Sequence, residues 1–206
     1  MPQPDHIVKI ALPDDSELDA DIQKYFSICQ DKLGMVPYVL RAYTANQAKF
    51  RTFSQFYNQL MLDEETCNLS KLEREMIAVV VSSANRCYYC LVAHGQAVRE
   101  LSGDPQMGEM MVMNYRVAEL DGRQRAMLDY AWKLTKTPHE IGDADRAALK
   151  DAGFSEQDIF DISDVTAFFN YTNRMAHGLD DAKSGLSRHE PVSRRHAGSQ
   201  RIRLSD

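Results

Sequence analysis

The sequence predicts an all-α protein, and three observations carry that expectation. Apolar residues recur at helical spacing along most of the chain, strand-like alternation is nearly missing, and helix start and stop signals fall between the periodic stretches. The 206 residues suffice for one substantial domain. No fixed-period repeat or low-complexity linker divides it, so the expected organisation is a helical domain over 1–182 and a basic C-terminal arm over 183–206.

Taken in order, Ser16 and the acids around it can start a helix through Ile22, Phe26 and Leu33, with Gly34 as its stop. Pro37 opens a second segment through Leu40 and Tyr43. A third carries Phe50, Phe53, Tyr57, Leu60 and Met61 on one face, aromatics that read as core rather than as a ligand box. Ser70 followed by Glu73 fits a capping box, which places a helix start at Lys71. The interior of that helix, REMIAVVVSSAN, is apolar enough to be buried on most sides. Its valines also suit a buried strand, but the cap and the length decide for helix. A further helix is expected from near Cys87 to about Leu101, ahead of the turn Gly103-Asp104-Pro105. Later segments run over 105–117, 122–136, 143–152 and 155–177, with Gly153 and Gly178 as helix-terminating glycines.

Bulk properties exclude several classes. A composition 44% hydrophobic and 26% charged is that of an ordinary globular protein. The opening segment, interrupted by Lys9, is a poor signal peptide, and the longest apolar run, Met76 to Val81, is far too short to span a bilayer. Four cysteines, two of them three apart, do not make a secreted disulfide framework, so a reducing cytoplasm is expected. The net charge of −6 gives no footprint for nucleic acid. It conceals an asymmetry, with +4 on 183–206 against −10 on the rest. That short arm has no interleaved aromatics and reads as a solvated or partner-crossing terminus.

The informative stretch is Glu75-(11 residues)-Cys87-Tyr88-Tyr89-Cys90-(3 residues)-His94. With Cys87 in the first turn of a helix, Cys90 lies one turn along the same face and His94 follows Cys90 at i+4. Free amides and the positive dipole end at a helix start stabilise a thiolate. The spacing therefore offers a nucleophile, a resolving thiol and a titratable base, the parts for thiol-disulfide or peroxide chemistry. Glu75 lies on the preceding apolar helix, where a carboxylate needs a partner, and His94 can answer it. Zinc is the competing reading, with Cys87, Cys90, His94 and Glu75 as ligands, though a structural site usually draws on two separated knuckles. Cys29 reads as a core thiol and Cys67 as an exposed loop residue. His177 is expected to support a helix C-terminus, and Asn170, Asn173 and Arg174 to bond at a helix end. His139 has no evident partner, and Trp132 reads as packing.

The motif resembles the signature of the alkylhydroperoxidase D family within the carboxymuconolactone decarboxylase superfamily, in its branch of peroxidase-related enzymes. The resemblance extends to LGMVPYVLRAY (33–43), LSKLEREMIAVVVSSANRCYYCLVAHG (69–95), YRVAELDGRQRAMLDYAWKLTKTP (115–138) and FFNYTNRMAHGL (168–179). It implies an all-helical homo-oligomer (dimer, trimer or hexamer) acting as a thiol-dependent peroxidase on a small hydroperoxide. It also implies a thiol or lipoyl-type protein reductant, and neither a cofactor nor a metal. By that resemblance Cys90 attacks peroxide and becomes a sulfenic acid, Cys87 resolves it to a disulfide, and His94 with Glu75 relays the proton. One position departs from the pattern: better-studied members carry a second histidine where this chain has Tyr89. A phenol titrating near ~10 donates a hydrogen bond but does not shuttle protons at neutral pH. A lactone decarboxylase-like enzyme and a zinc-stabilised structural oligomer are the other functional readings. The first does not use a CxxC pair.

Overall fold

A computed structural model of the protein describes residues 8–179. Among these there is no strand, and the helices are α1 (Ala20–Leu33), α2 (Tyr38–Tyr43), α3 (Gln47–Tyr57), α4 (Lys71–Asn85), α5 (Tyr88–Ser102), α6 (Pro105–Asn114), α7 (Gly122–Lys136), α8 (Asp143–Asp151) and α9 (Glu156–Leu179). The arm at 183–206 lies outside the described residues.

The capping box at Ser70 forms as its residues require. The Ser70 hydroxyl accepts from the Glu73 amide at 3.2 Å, and the Glu73 carboxylate accepts from the Ser70 amide at 2.8 Å. From this start α4 runs through the centre of the molecule, packed against α5, α6, α7 and α9. Met76 through Ser82 are completely buried, as a helix apolar on all sides demands. Gly34, at φ 72°, closes α1 in the left-handed conformation, and Gly153, at φ 87°, separates α8 from α9.

Three local expectations are corrected. The first helix begins at Ala20 rather than Ser16, because Asp14 and Glu17 cap a separate 3-10 turn (Asp15–Glu17) and Leu18 then leaves in an extended conformation. Gly178 does not stop α9, which continues to Leu179, whose carbonyl accepts from the Lys9 amide at 3.0 Å. Cys67 is buried rather than exposed, and that burial pushes its thiol above the usual range.

Two features shape the ground around the motif. After Tyr57 the chain widens into a π-helical turn (Asn58–Leu62). Arg74, 1% exposed, holds that turn by donating from Nη1 to the carbonyls of Leu60 (3.2 Å) and Asp63 (2.7 Å). A buried guanidinium without such acceptors would be prohibitively placed. On the other side α5 and α6 approach so closely that only glycine fits at their crossing. A Cβ on Gly108 would sit 2.3 Å from Arg99 Cγ and 3.0 Å from the Gly95 carbonyl oxygen. Gly108→Val is therefore expected to lower stability in urea unfolding by about 1–3 kcal/mol, the usual range for overpacking. Gly122→Ala, where an added Cβ meets nothing within 4 Å, should leave the midpoint nearly unchanged.

Candidate active site

The α4–α5 hairpin is built around a left-handed residue. Arg86, at φ 57°, ends α4 and turns the chain so that Cys87 becomes the N-cap of α5. The Cys87 amide is held by the Ser82 carbonyl at 2.9 Å, and its own carbonyl accepts the Leu91 amide at 2.9 Å. Cys90 follows in the first turn, where the positive end of the helix dipole favours an anionic sulfur. The two sulfurs lie 2.9 Å apart without a disulfide between them, with Cys87 donating to Cys90. Both are buried, Cys87 at 0% and Cys90 at 5% exposure, in a cluster with Tyr89 and Ala176 that Tyr38 and Val39 cover.

His94 lies one turn beyond Cys90 on α5. Its Nδ1 meets Glu75 Oε2 at 2.6 Å across the α4–α5 interface. With Nδ1–H donating to the carboxylate, Nε2 is left as the basic nitrogen on the far side of the ring. The Phe169 ring stands edge-on to the imidazole at a centroid distance of 4.6 Å and fixes its plane.

A polar network ties the start of this site to α9. Asn85 Nδ2 donates to Asn170 Oδ1 and Asn173 Oδ1, each at 3.0 Å, and Asn173 Nδ2 donates to Ser82 Oγ at 3.1 Å. His177 Nε2 donates to the Asn85 carbonyl at 3.1 Å. His177 thus supports a helix end as expected, but that of α4 rather than its own.

A cavity of about 390 Å³ opens beside the relay, within the size range of small-molecule sites. Leu33, Pro37, Leu40, Phe53, Leu62 and Ala97 give it an apolar body, while Glu75, His94, Tyr25, Tyr57 and Tyr89 supply polar atoms. His94 and Glu75 keep 15% and 14% side-chain exposure, which is their opening onto this space. Tyr25 donates to Asn58 Oδ1 at 3.2 Å. Burial pushes the Tyr25 phenol up to about 12 and raises that of Tyr57, to which the charge on Glu75 adds. Cys29 also lines this cavity, its thiol pushed up to about 11 by burial.

The structure therefore brings the four sequence-predicted residues together as two touching pairs, Cys87 with Cys90 and Glu75 with His94. Among the described residues no group of three or more His, Cys, Asp or Glu is arranged to hold a metal ion, and no helix is long and apolar enough to cross a membrane. Sequence reasoning missed the cavity and the part played in its wall by Tyr25 and Tyr57. Tyr57 sat in a stripe read as core, and helical spacing alone does not tell a core face from a cavity wall.

The carboxymuconolactone decarboxylase family model matches residues 48–131. An uncharacterized peroxidase-related protein from Silicibacter sp. TM1040 is 57% identical, with 87% of this chain and 93% of that chain aligned at a TM-score of 0.80. The chain belongs to the AhpD-like branch of the carboxymuconolactone decarboxylase family. An uncharacterized peroxidase-related protein from Ralstonia eutropha JMP134, described as an alkylhydroperoxidase AhpD core, is 40% identical over 86% of this chain and 92% of that chain, at a TM-score of 0.81. The debrominase Bmp8 shares the fold at 16% identity and a TM-score of 0.70, covering 84% of this chain and 90% of that one. Among curated proteins none matches the sequence. At family level the AhpD-like relatives support a peroxidase-type function.

The four thiols should separate chemically. With Cys29 pushed to about 11, only about one molecule in 10³ carries its thiolate at pH 8. Iodoacetamide at pH 8 followed by peptide mapping should label Cys90 ahead of Cys29, and labelling of Cys29 should climb only as pH rises toward 11. Equal rates at pH 8 would contradict this order.

Proposed function

We propose that this AhpD-like protein is a thiol-dependent peroxidase that reduces hydroperoxides through Cys90 and Cys87, with His94 and Glu75 as its proton relay. The observation that carries the reading is one arrangement: a thiol pair 2.9 Å apart at a helix start, with a Glu75–His94 pair at 2.6 Å one turn further on.

His94 Nε2 takes the Cys90 proton, and Glu75 stabilises the imidazolium that results. The Cys90 thiolate attacks the terminal peroxide oxygen, the O–O bond breaks, and the alcohol leaves with the proton that His94 returns. Cys90 is now a sulfenic acid, oxidised by two electrons. The Cys87 sulfur attacks it, water leaves and the Cys87–Cys90 disulfide forms. A dithiol reductant, free or borne on a lipoyl-type protein, supplies two electrons and two protons to restore both thiols. A reducing cytoplasm suits that last step. The apolar body of the cavity favours an organic hydroperoxide over hydrogen peroxide. We place the enzyme in a closed homo-oligomer, which light scattering at micromolar concentration checks against the 23.4 kDa monomer.

Cys90 is the attacking thiol because His94 follows it by four positions, whereas Cys87 lies seven from His94. Cys90→Ser is expected to abolish hydroperoxide consumption in the presence of dithiothreitol. Cys87→Ser should allow a single attack and leave a sulfenic acid on Cys90 that dimedone traps. A sulfenic acid on Cys87 in the Cys90→Ser protein would reverse the assignment. Glu75→Gln should slow consumption by roughly 10²-fold and move the pH midpoint of Cys90 alkylation upward, since the imidazolium that stabilises the thiolate loses its counter-charge.

A further inference from the structure

The cavity and the thiols are neighbours separated by a layer of side chains. Neither cysteine lines the cavity, and both are buried, at 0% and 5% exposure. Two residues belong to both places. Val39 and Tyr89 line the cavity on one side and pack into the cluster of Cys87, Cys90 and Ala176 on the other.

These two residues are also tied together. The Val39 amide donates to the Tyr89 hydroxyl at 3.3 Å, and the Tyr38 ring stacks on the Tyr89 ring at 6.4 Å with planes 16° apart. Val39 stands in the first turn of α2, where helix geometry leaves amides without partners, so the phenol oxygen answers one of them. α2 itself spans six residues and is reached from α1 through the left-handed Gly34 and Pro37. So short a helix draws its stability from what it packs against, and here that includes the Tyr89 ring and oxygen.

We propose that Tyr89 and Val39 form a latched partition between the cavity and Cys90, and that Tyr89 thereby sets by size which electrophiles reach the thiol. A small molecule slips past the closed partition. A molecule whose apolar part fills the cavity reaches the sulfur only when the Tyr89–Val39 bond opens. As a statement about substrates this rests on the reading of Cys90 as the peroxide-attacking thiol; as a statement about access it does not. Tyr89 is on this account a selectivity and positioning residue. Its hydroxyl oxygen accepts from the first turn of α2.

The test compares Cys90 alkylation in the reduced full-length protein by iodoacetamide and by the bulky N-(1-pyrenyl)maleimide, with peptide mapping to assign the sulfur. Tyr89→Phe keeps the ring and removes the latch oxygen. It is expected to speed the bulky reagent roughly three- to tenfold, about what one neutral hydrogen bond is worth, while leaving iodoacetamide within about twofold. Val39→Ala thins the partition without touching the phenol and should shift the ratio the same way. A change in thiol acidity alone would move both reagents together, so the ratio of rates carries the result. Equal acceleration of both reagents, or no change in either, would overturn the partition. The ratio of kcat/KM for cumene hydroperoxide over hydrogen peroxide should rise in both variants. A protein that consumes no peroxide yet shows the alkylation ratio would defeat the peroxidase reading and leave the partition standing.

Discussion

A carboxylate on a helix sunk in the core has to be answered, and the position of every other group in the site follows from how Glu75 is answered. Met76 through Ser82, which follow it, are completely buried, so Glu75 stands at the edge of the apolar stretch. Its 2.6 Å contact with His94 satisfies it and, in doing so, fixes how α5 is rotated against α4. Cys90 rides on the same helix one turn earlier, so the contact that stabilises the core also aims the thiol. The close approach at Gly95 and Gly108 works in the same direction, since it lets α6 hold the outer face of α5.

The four cysteines give an internal comparison of what burial does. Cys29 and Cys67 are enclosed without a helix start beneath them, and desolvation pushes both thiols up, Cys29 to about 11. Cys87 and Cys90 are buried too, yet they occupy the N-cap and first turn of α5, each beside a second sulfur. Burial opposes the charged form everywhere. Of the four, only Cys87 and Cys90 lie at a helix start, where the dipole opposes burial, with the Glu75–His94 pair one turn further on. Under the proposed mechanism this contrast, rather than the presence of a CxxC alone, is what makes the pair the reactive one.

Much of this was legible in the sequence because the signals are local. Ser70 with Glu73, Gly34, and Gly153 report backbone geometry within a few residues, and the spacing of Cys87, Cys90 and His94 reports position on one helix. The Glu75–His94 meeting was readable for a different reason: two consecutive antiparallel helices leave a carboxylate few places to go. What escaped was non-local. Nothing near Cys67 announces that it is covered, and nothing in the stripe of Phe53 and Tyr57 says that one side faces a void. The stop expected at Gly178 failed because a residue near the other end of the described chain, Lys9, supplies the last turn of α9 with a donor.

Tyr89 shows how one substitution redistributes the work of such a site. A histidine at this position offers a second group that titrates near neutrality, whereas a phenol does not. Tyr89 instead gives its oxygen to the Val39 amide and its ring to Tyr38. Under the proposed mechanism, proton traffic is then left to His94 and Glu75, and both of these border the cavity. On that mechanism the side from which an organic substrate arrives is also the side through which the relay exchanges its proton with solvent. The same mechanism has a substrate that fills the cavity shut that exchange off while the thiolate attacks, its departure restoring it. With a single base serving Cys90, the proton taken from the thiol is the proton available to the leaving alkoxide, so one imidazole in a closed pocket suffices for both halves of the step.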